Sequence, residues 1–308
     1  MISVVIPVFN EEDNIKPLYE RLHVVLTKLG KYEIIFVDDG SKDTTYEIIR
    51  HLHERNNRVK CIRMQKNFGQ TPALLAGLRE AQGDIIVTMD GDLQNDPDDI
   101  PALVKKLDDV DVVSGWRFDR MDTTGKRTAS KVANRLARWL TNLSIHDFGC
   151  TLKAYRKECL TNLELYGEMH RYIPAVLAWQ GYTIDELKVH HHKRVRGTSK
   201  YGLSRLVRGF LDLVNFKFWS GYSTRPLHLF GGAGLALFAA GCLINFYLLL
   251  LKLLYNEMLS NRPLLLLGVL LIVMGFQIFM TGFLAEIMIR SYYSNTGKTT
   301  YVIREKLL

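Results

Sequence analysis

The stretch Thr88-Met89-Asp90-Gly91-Asp92-Leu93-Gln94 decides how this chain is read. The apolar run Asp84-Ile85-Ile86-Val87 leads into it after Gly83. β-Branched residues bounded by a glycine predict a buried strand. The strand stops at two carboxylates one residue apart, and Gly91 between them lets the backbone turn tightly. Two carboxylates with nothing bulky between them can share one divalent cation. Hard oxygen donors suit Mg²⁺ or Mn²⁺, which keep positions open for phosphate oxygens. In open α/β sheets, ligands bind at the carboxyl ends of strands, where this pair sits.

Working outward, the same grammar recurs. Ile2–Phe9, Glu33–Val37, Val59–Met64 and Val110–Trp116 read as further strands, and Ile184–His190 as a strand closing the soluble part. Between them, helices are predicted after Asp13 or Asn14 (with Pro17 in the first turn), over Thr44–Arg55, through Ala73, Leu74 and Leu78, and from Pro97. Tyr172–Trp179 is predicted to be another helix, and Thr124–Leu143 a basic one. Regular strand–helix alternation predicts an α/β fold, a mostly parallel sheet with flanking helices. Neither G-x-G-x-x-G nor G-x-x-x-x-G-K-[ST] occurs, which disfavours a dinucleotide-binding fold and excludes a P-loop. Acids recur instead at strand ends, at Glu11, Asp38, Asp39, Asp90 and Asp92. They suit ribose hydroxyls, base N–H groups and a metal.

The chain has 308 residues and a formal net charge of +8. Its cations cluster at Lys193, Arg194, Arg196, Lys200, Arg205, Arg208 and Lys217, just before a long apolar run. That placement points to a membrane surface rather than nucleic acid, for which no binding signature is present. Pro226–Leu251 and Pro263–Ala285 contain no Asp, Glu, Lys or Arg. Each exceeds the roughly 20 residues that cross a bilayer as a helix. Leu203–Trp219 has one apolar face and predicts an interfacial helix. Lys and Arg flank the two spans on one side, so the positive-inside rule puts the catalytic part in the cytoplasm, beneath an inner or plasma membrane. The expected organisation is a catalytic domain over 1–202, an interfacial segment over 203–225, a two-span hairpin over 226–289 and a cytoplasmic tail over 290–308. Cys61, Cys150, Cys159 and Cys242 lack metal or redox spacing and are expected to be reduced. The N-terminus lacks signal-peptide features. His190-His191-His192 is read as structural, because consecutive strand residues face opposite ways.

Ser3-Val4-Val5-Ile6-Pro7-Val8-Phe9-Asn10-Glu11, Val37-Asp38-Asp39-Gly40-Ser41 and Asp90-Gly91-Asp92-Leu93-Gln94 together resemble the GT-A domain of family 2 glycosyltransferases. Asn67-Phe68-Gly69-Gln70, Gly197-Thr198-Ser199-Lys200-Tyr201 and the two spans narrow the resemblance to the polyprenyl-phosphate glycosyltransferases. Lys126–Lys131 and Asp147–Arg156 look closest to the undecaprenyl-phosphate formamido-arabinose transferases. The resemblance implies transfer of a sugar from a nucleotide-sugar, a UDP-sugar by preference, to a polyprenyl phosphate such as undecaprenyl phosphate, with inversion. It implies metal at Asp90 and Asp92 with Gln94, and a nucleotide-sugar site at Pro7, Asn10, Glu11, Asp38, Asp90, Arg117 and Arg127. Asp147 and Asp92 are the catalytic candidates, Asp147 either as base or as a group that orients acceptor or metal. Arg196, Lys200 and Arg205 are expected on the acceptor phosphate, because Arg and Lys complement phosphate oxygens. Homo-oligomers packed through the spans are also implied, with Gly231, Gly232, Gly234 and Gly241 permitting close approach.

Three readings compete. One is a GDP-mannose-dependent polyprenyl-phosphate mannose synthase, since the motifs do not fix the sugar. A processive polysaccharide synthase would carry Q-x-x-R-W, which Arg135-Leu136-Ala137-Arg138-Trp139 only imitates. A non-catalytic nucleotide-sugar or lipid binder would not need Asp90, Asp92 and Asp147 intact.

Overall fold

The computed structural model describes residues 1–118, 143–192 without 162, 164, 166 and 168, residues 134, 135, 137, 138 and 141, then 226–255, 263–293 and 303–307. Two compact units emerge, Met1–Val214 with Thr299–Leu308, and Asn215–Lys298.

The first unit is built on an eight-stranded sheet. In chain order its elements are β1 (Ile2–Val8), α1 (Glu12–Leu29), β2 (Tyr32–Asp38), α2 (Thr45–Arg55), β3 (Val59–Met64) and α3 (Gln70–Glu80). There follow β4 (Ile85–Thr88), a 3₁₀ turn (Pro97–Asp99) running into α4 (Ile100–Lys106), β5 (Val112–Arg117) and β6 (Lys153–Arg156). Next come a 3₁₀ turn at Met169–Tyr172, α5 (Ile173–Trp179) and β7 (Ile184–Val189). After the second unit, β8 (Ile303–Leu307) returns to the sheet.

The strand order is β7-β5-β6-β4-β1-β2-β3-β8. β1 runs parallel to both β2 and β4, β2 to β3, and β5 to β7. β6 is antiparallel to β4 and β5, and β8 to β3. The sheet is therefore mostly parallel, as expected, with two strands the periodicity did not reveal. Both are short, and both run antiparallel to their neighbours. The expected tail over 290–308 includes β8, which pairs with the β3 edge.

Both sheet faces are covered. Ile2, Val4, Ile6 and Val8 of β1 join Ile15, Leu18, Leu22 and Leu26 of α1 in one core. The alternate residues look the other way. A Cβ at Gly77 of α3 would collide with Val5 and Val37, so that helix lies closer than alanine would allow. Alternation along β1 thus fixes a helix on each side. α1 begins at Glu12, ahead of the Asp13 or Asn14 cap that the sequence predicts, and Pro17 falls inside it. The entry is set by loop-to-loop bonds instead: Asn10 N–H donates to Ser41 Oγ at 2.9 Å and Glu11 N–H to Thr45 Oγ1 at 2.9 Å.

The second unit holds α6 (Pro226–Tyr255) and α7 (Pro263–Tyr293). Both are long and apolar enough to cross a membrane. Leu243, Leu253, Leu266 and Met288 are each more than two-thirds exposed. Gly234 and Gly241 serve the hairpin itself: a Cβ at Gly234 would lie 2.6 Å from the Gly275 carbonyl oxygen, and one at Gly241 2.6 Å from that of Gly268. Gly232 meets nothing within 4 Å. The expected interfacial helix over 203–219 lies outside the described residues.

Candidate active site

Parallel pairing of β1, β2 and β4 brings Val8, Asp38 and Thr88 to one edge of the sheet. The acidic turn grows from that edge. Met89 N–H donates to the Val5 carbonyl at 3.2 Å, continuing the ladder one residue past β4. Asp90 N–H donates to Asn95 Oδ1 at 3.1 Å. A Cβ on Gly91 would lie 2.6 Å from Val8 Cγ1, so the backbone approaches β1 as only glycine can. Leu93 takes a left-handed φ of 62°. Gln94 N–H donates to Asp92 Oδ1 at 3.1 Å, closing a tight Asx-type turn. Asp92 is buried, Asp90 is half-buried, and Asp90 Oδ1 accepts from Gln70 Nε2 at 2.8 Å.

The donor set fits a hard divalent ion. Asp90 and Asp92 bracket one tight turn, and Asp90 lines a small cavity. Among the described residues no group of three or more His, Cys, Asp or Glu forms a closed metal site. An incomplete protein ligand set is what Mg²⁺ or Mn²⁺ shares with phosphate oxygens. Gln94 Nε2 donates to the His192 carbonyl at 3.4 Å, and His192 N–H returns a bond to the Gln94 carbonyl at 2.9 Å. Its place is thus a clamp between the turn and the segment after β7. His190 and His192 pair with Asp99 and Asp96, at 2.8 and 2.6 Å, so both are tied to carboxylates.

Beside the turn, Arg117 ends β5 and meets Asp147. Nε donates to Oδ2 at 2.7 Å and Nη2 to Oδ1 at 3.0 Å, a bidentate pair. Gly149 N–H adds a third bond to Asp147 Oδ1 at 3.1 Å. Burial alone would pull the Arg117 pKa down, but the Asp147 charge and hydrogen bonds drive it above the ordinary value. Asp90 adds to that pull. Both Asp147 oxygens are engaged by a permanent cation, which favours positioning over proton removal. His146 stacks on Trp116 at 4.3 Å, and its Nδ1 lies 2.6 Å from Glu186 Oε1. Those contacts hold the loop that presents Asp147. Cys150 is fully buried, and burial pushes its thiol up to about 11, too high for a nucleophile.

The expected nucleoside residues sit where β1 and β2 end. Pro7 lines the same cavity as Asp90. Asn10 has a left-handed φ of 53°, and its Oδ1 accepts from Lys42 N–H at 2.8 Å. Glu11 Oε2 accepts from Asn14 Nδ2 at 2.6 Å. Asp38 is wholly inside, accepting from Ser41 N–H at 2.9 Å with Arg63 Nε 3.6 Å away. Its neighbour Asp39 accepts from Phe68 and Gly69 N–H at 2.7 and 2.9 Å, tying β2 to the start of α3. Arg127, Arg196, Lys200 and Arg205 lie outside the described residues. Sequence reasoning gave no role to Gln70 or to the buried Lys153 and His170, which line the cavity with Asp90.

A family model described as glycosyl transferase family 2 matches residues 3–163. The chain belongs to this family. The dodecaprenyl-phosphate galacturonate synthase of Rhizobium johnstonii is 41% identical, over 99% of this chain and 92% of that protein. The undecaprenyl-phosphate 4-deoxy-4-formamido-L-arabinose transferase of Pseudomonas aeruginosa is 34% identical, over 98% and 89%. Among solved structures, glucosyl-3-phosphoglycerate synthase of Mycobacterium tuberculosis, bound to Mn²⁺, UDP and glucosyl-3-phosphoglycerate, aligns with a TM-score of 0.54 and 22% identity, over 71% of this chain and 79% of that one. A mannosyltransferase of Pyrobaculum calidifontis, bound to GDP-Man and Mn²⁺, gives 0.53 and 20%, over 91% and 86%. As a family 2 glycosyltransferase, the chain presents Asp90, Asp92, Arg117 and Asp147 from the ends of two strands and one loop of the same sheet.

Proposed function

We propose that this enzyme transfers a sugar from a UDP-sugar to a polyprenyl phosphate at the cytoplasmic face of a membrane, with inversion at the anomeric carbon. The observation that carries the reading is one chain holding both an acid pair at the end of β4 and two helices long enough to span a bilayer. Full-length likeness to two relatives named for polyprenyl-phosphate acceptors supports it.

The chemistry follows from charge. A nucleoside diphosphate leaves well once its negative charge is offset. Asp90 and Asp92 would hold Mg²⁺ or Mn²⁺ against the diphosphate, and the bound ion supplies Lewis acidity there. Structural neighbours that hold Mn²⁺ with a nucleotide or a nucleotide-sugar support this assignment. Pro7, Asn10, Glu11 and Asp38 remain the proposed nucleoside wall, with Arg127 on the diphosphate. The acceptor phosphate is already an anion and needs no strong base. Arg117 and Asp147 therefore act as a positioning pair: the carboxylate fixes the guanidinium, and the guanidinium faces incoming phosphate charge. Arg196, Lys200 and Arg205 are proposed to receive the acceptor phosphate.

Cations flank both apolar helices on the side of the catalytic unit in sequence, which supports a cytoplasmic catalytic unit under the positive-inside rule. The test is radiolabel transfer from a panel of UDP- and GDP-sugars to undecaprenyl phosphate. Metal-dependent, chloroform-soluble product from a UDP-sugar is expected. Product from GDP-mannose alone would favour the mannose synthase, and none from any donor would favour a non-catalytic binder.

A further inference from the structure

Gln70 is the first residue of α3, yet its side chain serves the acidic turn after β4. Its Nε2 donates to Asp90 Oδ1 at 2.8 Å. Both residues are half-buried and line the same small cavity. The start of α3 is held independently of that bond. Thr71, the next residue, is buried, and its Oγ1 lies 2.6 Å from Nδ1 of the buried His170. Ala73 is wholly inside, and Gly77 lies against Val5 and Val37 too closely for a Cβ. A donor mounted on so fixed a base holds its acceptor in one orientation.

The donor is also of a particular kind. An amide N–H is neutral, so it orients a carboxylate without cancelling its charge. Two other acids of this region are held by cations, Asp147 by Arg117 and Asp96 by Arg21. Such acids are engaged as ion-pair partners. The main chain of Asp90 is fixed as well. Its N–H donates to Oδ1 of the buried Asn95 at 3.1 Å, and that oxygen also accepts from Thr151 Oγ1 at 3.0 Å. Asp90 is thus gripped at its side chain by α3 and at its backbone by Asn95. A divalent ion with few protein ligands binds best when each is aimed before it arrives, because a swinging carboxylate must lose that freedom on binding.

We infer that Gln70 is a positioning residue for the metal: its amide fixes the rotation in which the Asp90 carboxylate meets the ion and leaves the carboxylate its charge. This rests on the assignment of Asp90 and Asp92 to the metal made above and adds to it a residue from outside the acidic turn. Gln70 takes no part in bond making. Its effect reaches the donor diphosphate through the ion alone.

The experiment is calorimetric titration of UDP into full-length protein in detergent, with and without Mn²⁺. The quantity read is the gain in UDP affinity that Mn²⁺ gives. Gln70→Met keeps the length of the side chain and removes the donor. Its gain is expected to fall about tenfold below the parent's. Its UDP affinity without Mn²⁺ is expected to stay within about twofold of the parent's, a split that a general loosening of the fold would not produce. Gln70→Ala also removes the donor and is expected to behave alike, so the comparison stands even if Gln70→Met does not fold. Gln70→Lys keeps a donor but brings a cation to Asp90, and it is expected to lose the gain too, because the ammonium competes with the ion. A full gain in Gln70→Met overturns the inference and leaves the metal assignment standing. Equal losses with and without Mn²⁺ also overturn it, since Gln70 would then brace the nucleotide site rather than the ion. A gain restored by Gln70→Lys overturns the role given to a neutral donor. A parent whose UDP binding ignores Mn²⁺ overturns the metal assignment and this inference together.

Discussion

Two acid pairs follow β2 and β4, the strands on either side of β1, and their carboxylates are held differently. Asp38 and Asp39 follow β2 and are 0% and 4% exposed. Their recorded bonds run to backbone amides of Ser41, Phe68 and Gly69. Asp90 and Asp92 follow β4, and Asp90 edges a cavity. Asp39 fastens a loop to the sheet through two amides, whereas Asp90, which accepts from the Gln70 side chain, is proposed to present oxygen to a metal. The lesson is that an acid at a strand end is not yet a site. What distinguishes Asp39 from Asp90 is that backbone amides take both oxygens of Asp39, whereas Asp90 accepts from the Gln70 side chain at the rim of a cavity.

The sharpest way to break this contrast is to exchange the consequences. Asp92→Ala is expected to lower transfer by about a thousandfold or more, with a melting temperature close to the parent's. Radiolabel assay and calorimetric melting on the same sample check both halves. Asp147→Asn comes next. It removes one charge from a buried bidentate pair, so transfer is expected to fall about a hundredfold and stability by about 3 kcal/mol or more. Arg117→Lys should resemble it in rate, because an ammonium cannot reproduce the fork.

Asp39→Ala should act the other way round from Asp92→Ala. Two amides lose their acceptor, costing about 1–3 kcal/mol in denaturant unfolding, with activity falling only as the fold weakens. The smallest effect is a pH slope. Burial raises the Asp39 pKa from 3.8 to about 6, against the pull of the two amides. The folded chain therefore holds more protons than the unfolded one between those values. The Asp39 contribution to stability is full below that window, declines as pH rises through it and is flat above it. Asp39→Asn should erase this component when unfolding curves of the two proteins are compared from pH 4 to 7.

Much of this arrangement was legible in the sequence. The strands carrying Val4, Ile35 and Val87 were visible because runs of β-branched residues have few other uses. The metal turn was visible because glycine between two acids is chemically specific. β6 was hidden: it is four residues long, with charged residues at both ends. β8 was hidden for the same reason, since Arg304, Glu305 and Lys306 read as solvated tail. Lys153 escaped notice because nothing local marks a lysine as buried; only the register with Thr88 does. The different partners of Asp39 and Asp90 were likewise out of reach, because they depend on which loop amides arrive from β3–α3.

The account stands on the acid pair after β4 holding a metal against the donor diphosphate. Titrating UDP into the full-length protein with and without Mn²⁺ tests this most directly. Mn²⁺ is expected to tighten UDP at least about tenfold in the parent and to have no effect in Asp92→Ala. An Mn²⁺ enhancement of equal size in Asp92→Ala would contradict the account.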